Sequence, residues 1–201
     1  MASANGLGIT WRHQPAKDGD MGRNTNNSGG FTLVELMVVL AVLAVLLGVA
    51  VPSFQNIINR NRLTAVTNEI VAAIQLARVE AVRRNGRVVF CPTADGATCG
   101  GTNWLRSIVL APGGEVVREI NFEGAGLTVL GSSNVATGNQ ISFGASGFAR
   151  AGTTAANRSG GLRVCSTLVD ANENARDVEV SVSRVSVVTA TSAACGAAWV
   201  D

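Results

Sequence analysis

Residues 31–51, FTLVELMVVLAVLAVLLGVAV, run for 21 positions with a single charge, Glu35. At about 1.5 Å of rise per residue, a helix of that length spans roughly 30 Å, the thickness of a bilayer's hydrocarbon. Three kinds of segment read this way: a membrane helix, a secretory signal and a helix buried in a soluble core. A helix packed on a soluble core carries an apolar stripe, whereas this run is apolar on every face. Gly48-Val49-Ala50 offers the small-x-small pattern of signal peptidase, but the run is long for a signal's apolar region and carries a carboxylate near its start.

What precedes the run separates the remaining two readings. Ser28-Gly29-Gly30 stands directly before Phe31-Thr32-Leu33-Val34-Glu35-Leu36. A Gly, then Phe, a small or polar residue, two aliphatic residues and Glu: this order resembles the cleavage motif of the type IV prepilins. Pro52, just past the run, extends the likeness. The resemblance implies that a prepilin peptidase cuts after Gly30 and methylates the new amine of Phe31. The cut then falls on the polar side of the run, and the apolar helix stays in the mature protein. Residues 1–30 become a leader. Met21 would instead open a ten-residue leader, MGRNTNNSGG, with Arg23 as its positive charge, which is closer to the family's form.

Glu35 has two readings. Thr32 and Glu35 have the spacing of a capping box, and a carboxylate suits the positive end of a helix dipole. The resemblance implies a further role, pairing with the free amine of Phe31 on an adjacent subunit. A carboxylate costs about 2.5–3.5 kcal/mol at the centre of a membrane helix, and Thr32 can cap without it.

Pro52 sits inside an otherwise helical pattern, removes one backbone donor, and is expected to kink the helix. Gly48, one turn earlier, loosens it further. Beyond, Leu63, Val66, Ile70, Ile74, Ala77 and Ala81 recur at steps of three and four, the mark of one buried face. Arg60, Arg62, Glu69, Arg78, Glu80, Arg83 and Arg84 lie largely off that stripe. Asn85-Gly86 ends the pattern, with Gly expected at the stop. Residues 31–84 are thus expected to form one kinked helix of about 80 Å. Its first half needs lipid or other helices around it, and its second half needs the chain's own domain. Head-to-tail packing of such helices generates a filament.

After Gly86 the period changes. Strands are expected at 87–90, 105–110, 115–120, 127–130, 140–143, 162–165 and 177–182, with a hairpin turn at Ala111-Pro112-Gly113-Gly114. In the last of these, Val178, Val180 and Val182 point inward and Asp177, Glu179, Ser181 and Ser183 outward. The fold class is α+β and pilin-like: a long kinked N-terminal helix packed on an antiparallel β-sheet head. Its segments are 1–30 leader, 31–52 membrane or filament-core helix, 53–86 amphipathic helix and 87–201 head. Four cysteines, Cys91, Cys99, Cys165 and Cys195, all follow the apolar run, and an even count on the exported side of a membrane reads as two disulfides. Of three connectivities, Cys91–Cys99 with Cys165–Cys195 closes each loop within one half of the head.

Several head features resemble the GspH/FimT branch of minor pilins: Leu76-Ala77-Arg78-Val79-Glu80-Ala81 on the helix, Cys91-Pro92 after the first strand, Trp104 before the second, and Phe143-Gly144-Ala145-Ser146-Gly147. The resemblance implies a structural minor pilin of the type IV pilus in an assembly-priming or tip complex, held by inner-membrane lipid and partnered by other minor and major pilins. A pseudopilin of type II secretion is the alternative. DNA capture, as in the FimT-type pilins, is a further one. Those carry Gly-Arg-x-Arg near the C-terminal strand, and the matching stretch here is Ser183-Arg184-Val185-Ser186, which keeps only Arg184. From residue 88 on, seven Arg face nine acids, so nucleic acid is not the favoured partner. Arg158 and Arg163 remain candidates for a local basic patch.

Past residue 30 there is neither His nor Lys, which excludes Ser-His-Asp and Cys-His catalysis and a His-based metal site. Gly100-Gly101 and Gly113-Gly114 do not precede helices and are not phosphate loops. Asp170, Glu173 and Asp177 read as a solvated acidic loop rather than a cation site. No cofactor is expected, and the chain does not read as an enzyme.

Overall fold

The change of period at Asn85-Gly86 marks the end of a helix in the computed structural model, which describes residues 30–124, 126–191, 195–196 and 199–201. The leader up to residue 29, with the choice between Met1 and Met21, lies outside the described residues. The first helix, α1, covers Leu33–Arg83. Thr32 caps it: its hydroxyl accepts the Glu35 N–H at 3.2 Å and its carbonyl the Leu36 N–H at 3.1 Å. Helical assignment continues through Pro52 without a break.

At the other end Asn85 takes the left-handed conformation, φ 50°. The Asn85 N–H donates to Val82 O at 3.2 Å and the Gly86 N–H to Ala81 O at 3.0 Å, the two bonds of a Schellman stop. Asn85, not Gly86, therefore fills the left-handed position. Gly86 is there for space, since a Cβ on it would stand 2.7 Å from Pro112 Cγ.

Two compact units divide the chain, the first ending at Leu43 and the second running Ala44–Asp201. The second holds the core. Nine strands follow α1 among the described residues: β1 Val88–Pro92, β2 Arg106–Leu110, β3 Val116–Asn121, β4 Leu127–Gly131, β5 Ile141–Phe143, β6 Ala149–Ala151, β7 Gly160–Ser166, β8 Ala175–Val180 and β9 Val185–Ala190. A short helix, α2, Ser133–Ala136, lies between β4 and β5. The strands form two antiparallel sheets, β3-β2-β1-β5-β6 and β4-β7-β8-β9. Leu63, Val66, Ile70, Ala73, Ile74, Ala77 and Ala81 of α1 form one buried cluster with Val88, Phe90, Ile141 and Phe143 from the first sheet and Val129, Leu162, Val164 and Val178 from the second. Trp104 is buried against Phe90, with ring centroids 5.5 Å apart.

The single sheet expected from the sequence is thus two. The chain changes sheets after β3, where it passes over α1: the Arg62 guanidinium donates to Glu123 O, and a side chain at Gly124 would collide with that guanidinium. Gly126, at φ 78°, then turns the chain into β4. The strand expected to be last is also corrected. It is β8, it ends at Val180, and β9 pairs beyond it through Val180↔Val185 to Ala175↔Ala190. Val178 and Val180 do face the core, but Asp177 on the opposite face is buried too.

Both disulfides join the expected pairs, Cys91–Cys99 with Cα atoms 5.5 Å apart and Cys165–Cys195 at 5.4 Å. The second anchors residue 195 to β7. Residues 199–201 are also tied down, the Asn134 N–H donating to Asp201 Oδ2 at 2.8 Å and the Ser133 N–H to Trp199 O at 3.0 Å.

Candidate assembly and binding surfaces

From Phe31 to Ile58 the large apolar side chains of the helix and its entry are 48–81% exposed. A soluble monomer does not leave such a surface bare, because burying it is worth about 25 cal/mol per Å². The helix is long and apolar enough to cross a membrane. The single acid of residues 31–58, Glu35, closes only half of a capping box. Its N–H is bound by Thr32, while its carboxylate makes no hydrogen bond or ion pair with any described residue. Gly30 is exposed, and a Cβ on it would meet nothing within 4 Å. The chain's own packing therefore does not require glycine at 30. The same holds at Gly48, although Gly inside a helix costs about 1 kcal/mol relative to Ala.

The helix segment Arg78-Val79-Glu80-Ala81 has a structural job that its sequence did not disclose. Arg78 lies over the Phe143 ring, 5.1 Å from its centroid, and donates to Ser183 O at 2.7 Å, tying α1 to the turn between β8 and β9. Its Nε and Nη2 are buried with no partner among the described residues, and burial lowers its pKa. Glu80, expected off the buried face, is in fact buried. It accepts hydrogen bonds of 3.0 and 2.7 Å from Arg83 and 2.7 Å from Arg84. The Arg83 bonds, then the Arg84 bond, hold its carboxyl down to about 2. Arg84 reaches on to Glu115, just before β3, pinning the hairpin to the helix end.

The acidic loop is engaged rather than merely solvated, with Arg60 bridging Asp170 at 3.5 Å and Glu173 at 3.0 Å. Asp177 belongs elsewhere. Arg163 donates to both its oxygens at 2.7 Å and lies over the Trp199 ring, 5.7 Å from its centroid. Gly161 makes room for that indole, since a Cβ there would stand 2.5 Å from Trp199 Cη2. Among the described residues no three His, Cys, Asp or Glu side chains gather to hold a metal ion.

The three arginines considered for nucleic acid do not line one cleft. Arg163 is consumed by Asp177. Arg184, in the turn between β8 and β9, is exposed beside a shallow cleft of about 350 Å³ that also presents Glu179 and Asp201. Arg158 lines a different cleft, of about 400 Å³, together with Arg87 and Arg150.

The family model for the type II transport protein GspH matches residues 66–186, more than half of the 201 residues, and that for the prokaryotic N-terminal methylation motif matches residues 25–51. The type IV major alpha-pilin of Moraxella bovis is 40% identical over 47 residues, 23% of this chain and 30% of that pilin. A fimbrial protein of Pseudomonas aeruginosa is 34% identical over 64 residues, 32% of this chain and 41% of that protein. The chain thus spans less than half the length of these curated pilins. The crystal structure of the type IV minor pilin FimU of Pseudomonas aeruginosa shares the fold, with a TM-score of 0.51 and 20% identity over 68% of this chain and 96% of that one. With the methylation motif at one end and the GspH region over the head, the chain belongs to the GspH family and is a type IV prepilin-like protein.

Proposed function

We propose that this protein is a structural minor pilin of a type IV pilus, acting in the assembly-priming or tip complex, and not an enzyme. The observation that carries the reading is the segment from Phe31 to Val51, apolar on every side, exposed along its length, and holding one carboxylate without a partner among the described residues. Prepilin peptidase cuts after Gly30 and methylates Phe31. The amine stays positive and pairs with Glu35 of a neighbouring subunit, offsetting the cost of holding a carboxylate in an apolar bundle. Lipid covers the helix before assembly, and helices of other minor and major pilins cover it afterwards. The protein crosses the inner membrane once, with its head in the periplasm, where the oxidising environment suits both disulfides. Pro52 and Gly48 loosen the helix to suit its packing in the filament.

The GspH match supports a second reading, a pseudopilin of type II secretion built on the same helix. Deletion separates the two. Loss of surface pili, with the protein recovered in sheared pili of the complemented strain, is the expected result. Normal piliation with loss of exoprotein secretion would replace the first reading by the second. Nucleic acid is the less favoured partner, because Arg163 is held by Asp177 and Arg184 sits beside two acids.

A further inference from the structure

Of the thirteen arginines among the described residues, nine are engaged by carboxylates or backbone carbonyls: 60, 62, 78, 83, 84, 106, 118, 163 and 176. Four make no ion pair or side-chain hydrogen bond with any described residue, and three of these, Arg87, Arg150 and Arg158, line one cleft of about 400 Å³. No acidic residue lines it. Arg87 precedes β1. Arg150 on β6 stands opposite Ser142 of β5, so the two share the sheet face turned away from the core side chains of Ile141, Phe143, Ala149 and Ala151. Arg158 comes from the loop entering β7. Phe148, 53% exposed, lies at the same cleft.

Three like charges in one cleft repel one another, and an anionic partner relieves that repulsion. Guanidinium forks suit carboxylates, which they grip with two parallel hydrogen bonds. The surrounding field helps decide how the partner arrives. Over the compact unit Ala44–Asp201 thirteen Arg stand against eleven acids, a net charge of only +2, so its long-range field draws in a polyphosphate chain weakly. A segment brought alongside by filament assembly needs no such steering, because its effective concentration is already high.

We propose that the Arg87–Arg150–Arg158 cleft docks a surface segment of a neighbouring filament subunit bearing at least two Asp or Glu side chains, with Phe148 as the apolar anchor. The proposal rests on the pilin reading above. The test places a photo-reactive benzoyl-phenylalanine at position 148 of the full-length chain in the native bacterium, irradiates the cells and maps the cross-link by mass spectrometry in sheared filaments. The expected product joins position 148 to a peptide of another pilin that contains paired acids. Its yield should drop roughly tenfold or more in the triple variant Arg87→Gln, Arg150→Gln, Arg158→Gln, as for losing charge-assisted bonds. Lys at the mapped acids should lower the yield likewise, and combining it with Arg150→Glu should restore it. A nuclease-sensitive product, a cross-link to a segment without acids, or no cross-link in filaments that contain the chain would overturn the docking proposal and leave the pilin reading intact. Absence of the chain from the filament fraction would overturn both.

Discussion

Arg163 on β7 and Asp177 on β8 stand directly opposite in register, and the arginine donates to both carboxylate oxygens at 2.7 Å. Both side chains are largely buried, and Trp199 closes over the arginine. The pair therefore belongs to the head's packing. Removing one partner strands the other: Asp177→Asn should destabilise the protein by about 2–4 kcal/mol in chemical denaturation, whereas Arg163→Met with Asp177→Leu should recover most of that loss. A single variant as stable as the parent would show that the pair contributes nothing.

Glu80 links stability to acid. Its folded pKa, about 2, lies below its ordinary value of 4.5 because Arg83 and Arg84 bind the charged form. A depressed carboxylate contributes stability above its unfolded pKa and loses that contribution as pH falls through its folded pKa. The difference in Tm between the parent and Glu80→Gln should therefore be constant above about pH 5 and shrink between about pH 4.5 and pH 2. A difference that stays flat down to pH 2 would contradict this.

The two disulfides close loops of different length, with sequence separations of 8 and 30. By chain entropy they constrain the unfolded state by about 2.5 and about 3.7 kcal/mol. Replacing Cys165 and Cys195 together by Ala should cost about 1 kcal/mol more than replacing Cys91 and Cys99. Denaturant midpoints of the two double variants in the full-length protein check the order, and peptide mapping without reductant checks the pairing.

The helix stop makes a fourth stability test. Asn85→Gly should be neutral or stabilising by up to about 1 kcal/mol, because Gly accepts a positive φ without strain. Gly86→Val should be clearly destabilising, because its side chain meets Pro112. Thermal melts showing the reverse order would put the glycine requirement at 85.

Much of this was written locally. The stripe from Leu63 to Ala81 is periodic and lies wholly in the core. The expected strands are all present, with ends shifted by a few residues. What escaped depends on contacts between distant segments. The split into two sheets turns on Gly124 crossing Arg62, a meeting of loop and helix without a local signature. Asp177 read as outward because alternation reports only which face a side chain is on, and Trp199 covers that outer face. β9 was missed because it is an edge strand with Val187 and Val188 exposed, so no clean alternation marks it. β6 is three residues long. At the surfaces, the apolar run and Glu35 were legible. The meeting of Arg87, Arg150 and Arg158 was not, because the fold brings them together from three separate segments.

The central claim is that the apolar helix is kept, not discarded, and that the cut precedes it. Intact-mass and N-terminal analysis of the protein extracted from membranes of cells with active prepilin peptidase tests this most directly. The account predicts a chain beginning at Phe31 with one added methyl group, and Gly30→Ala should accumulate the uncut form while Glu35→Ala is cut but poorly incorporated into filaments. A mature chain that starts at Val51, or one that keeps its leader in such cells, would contradict it.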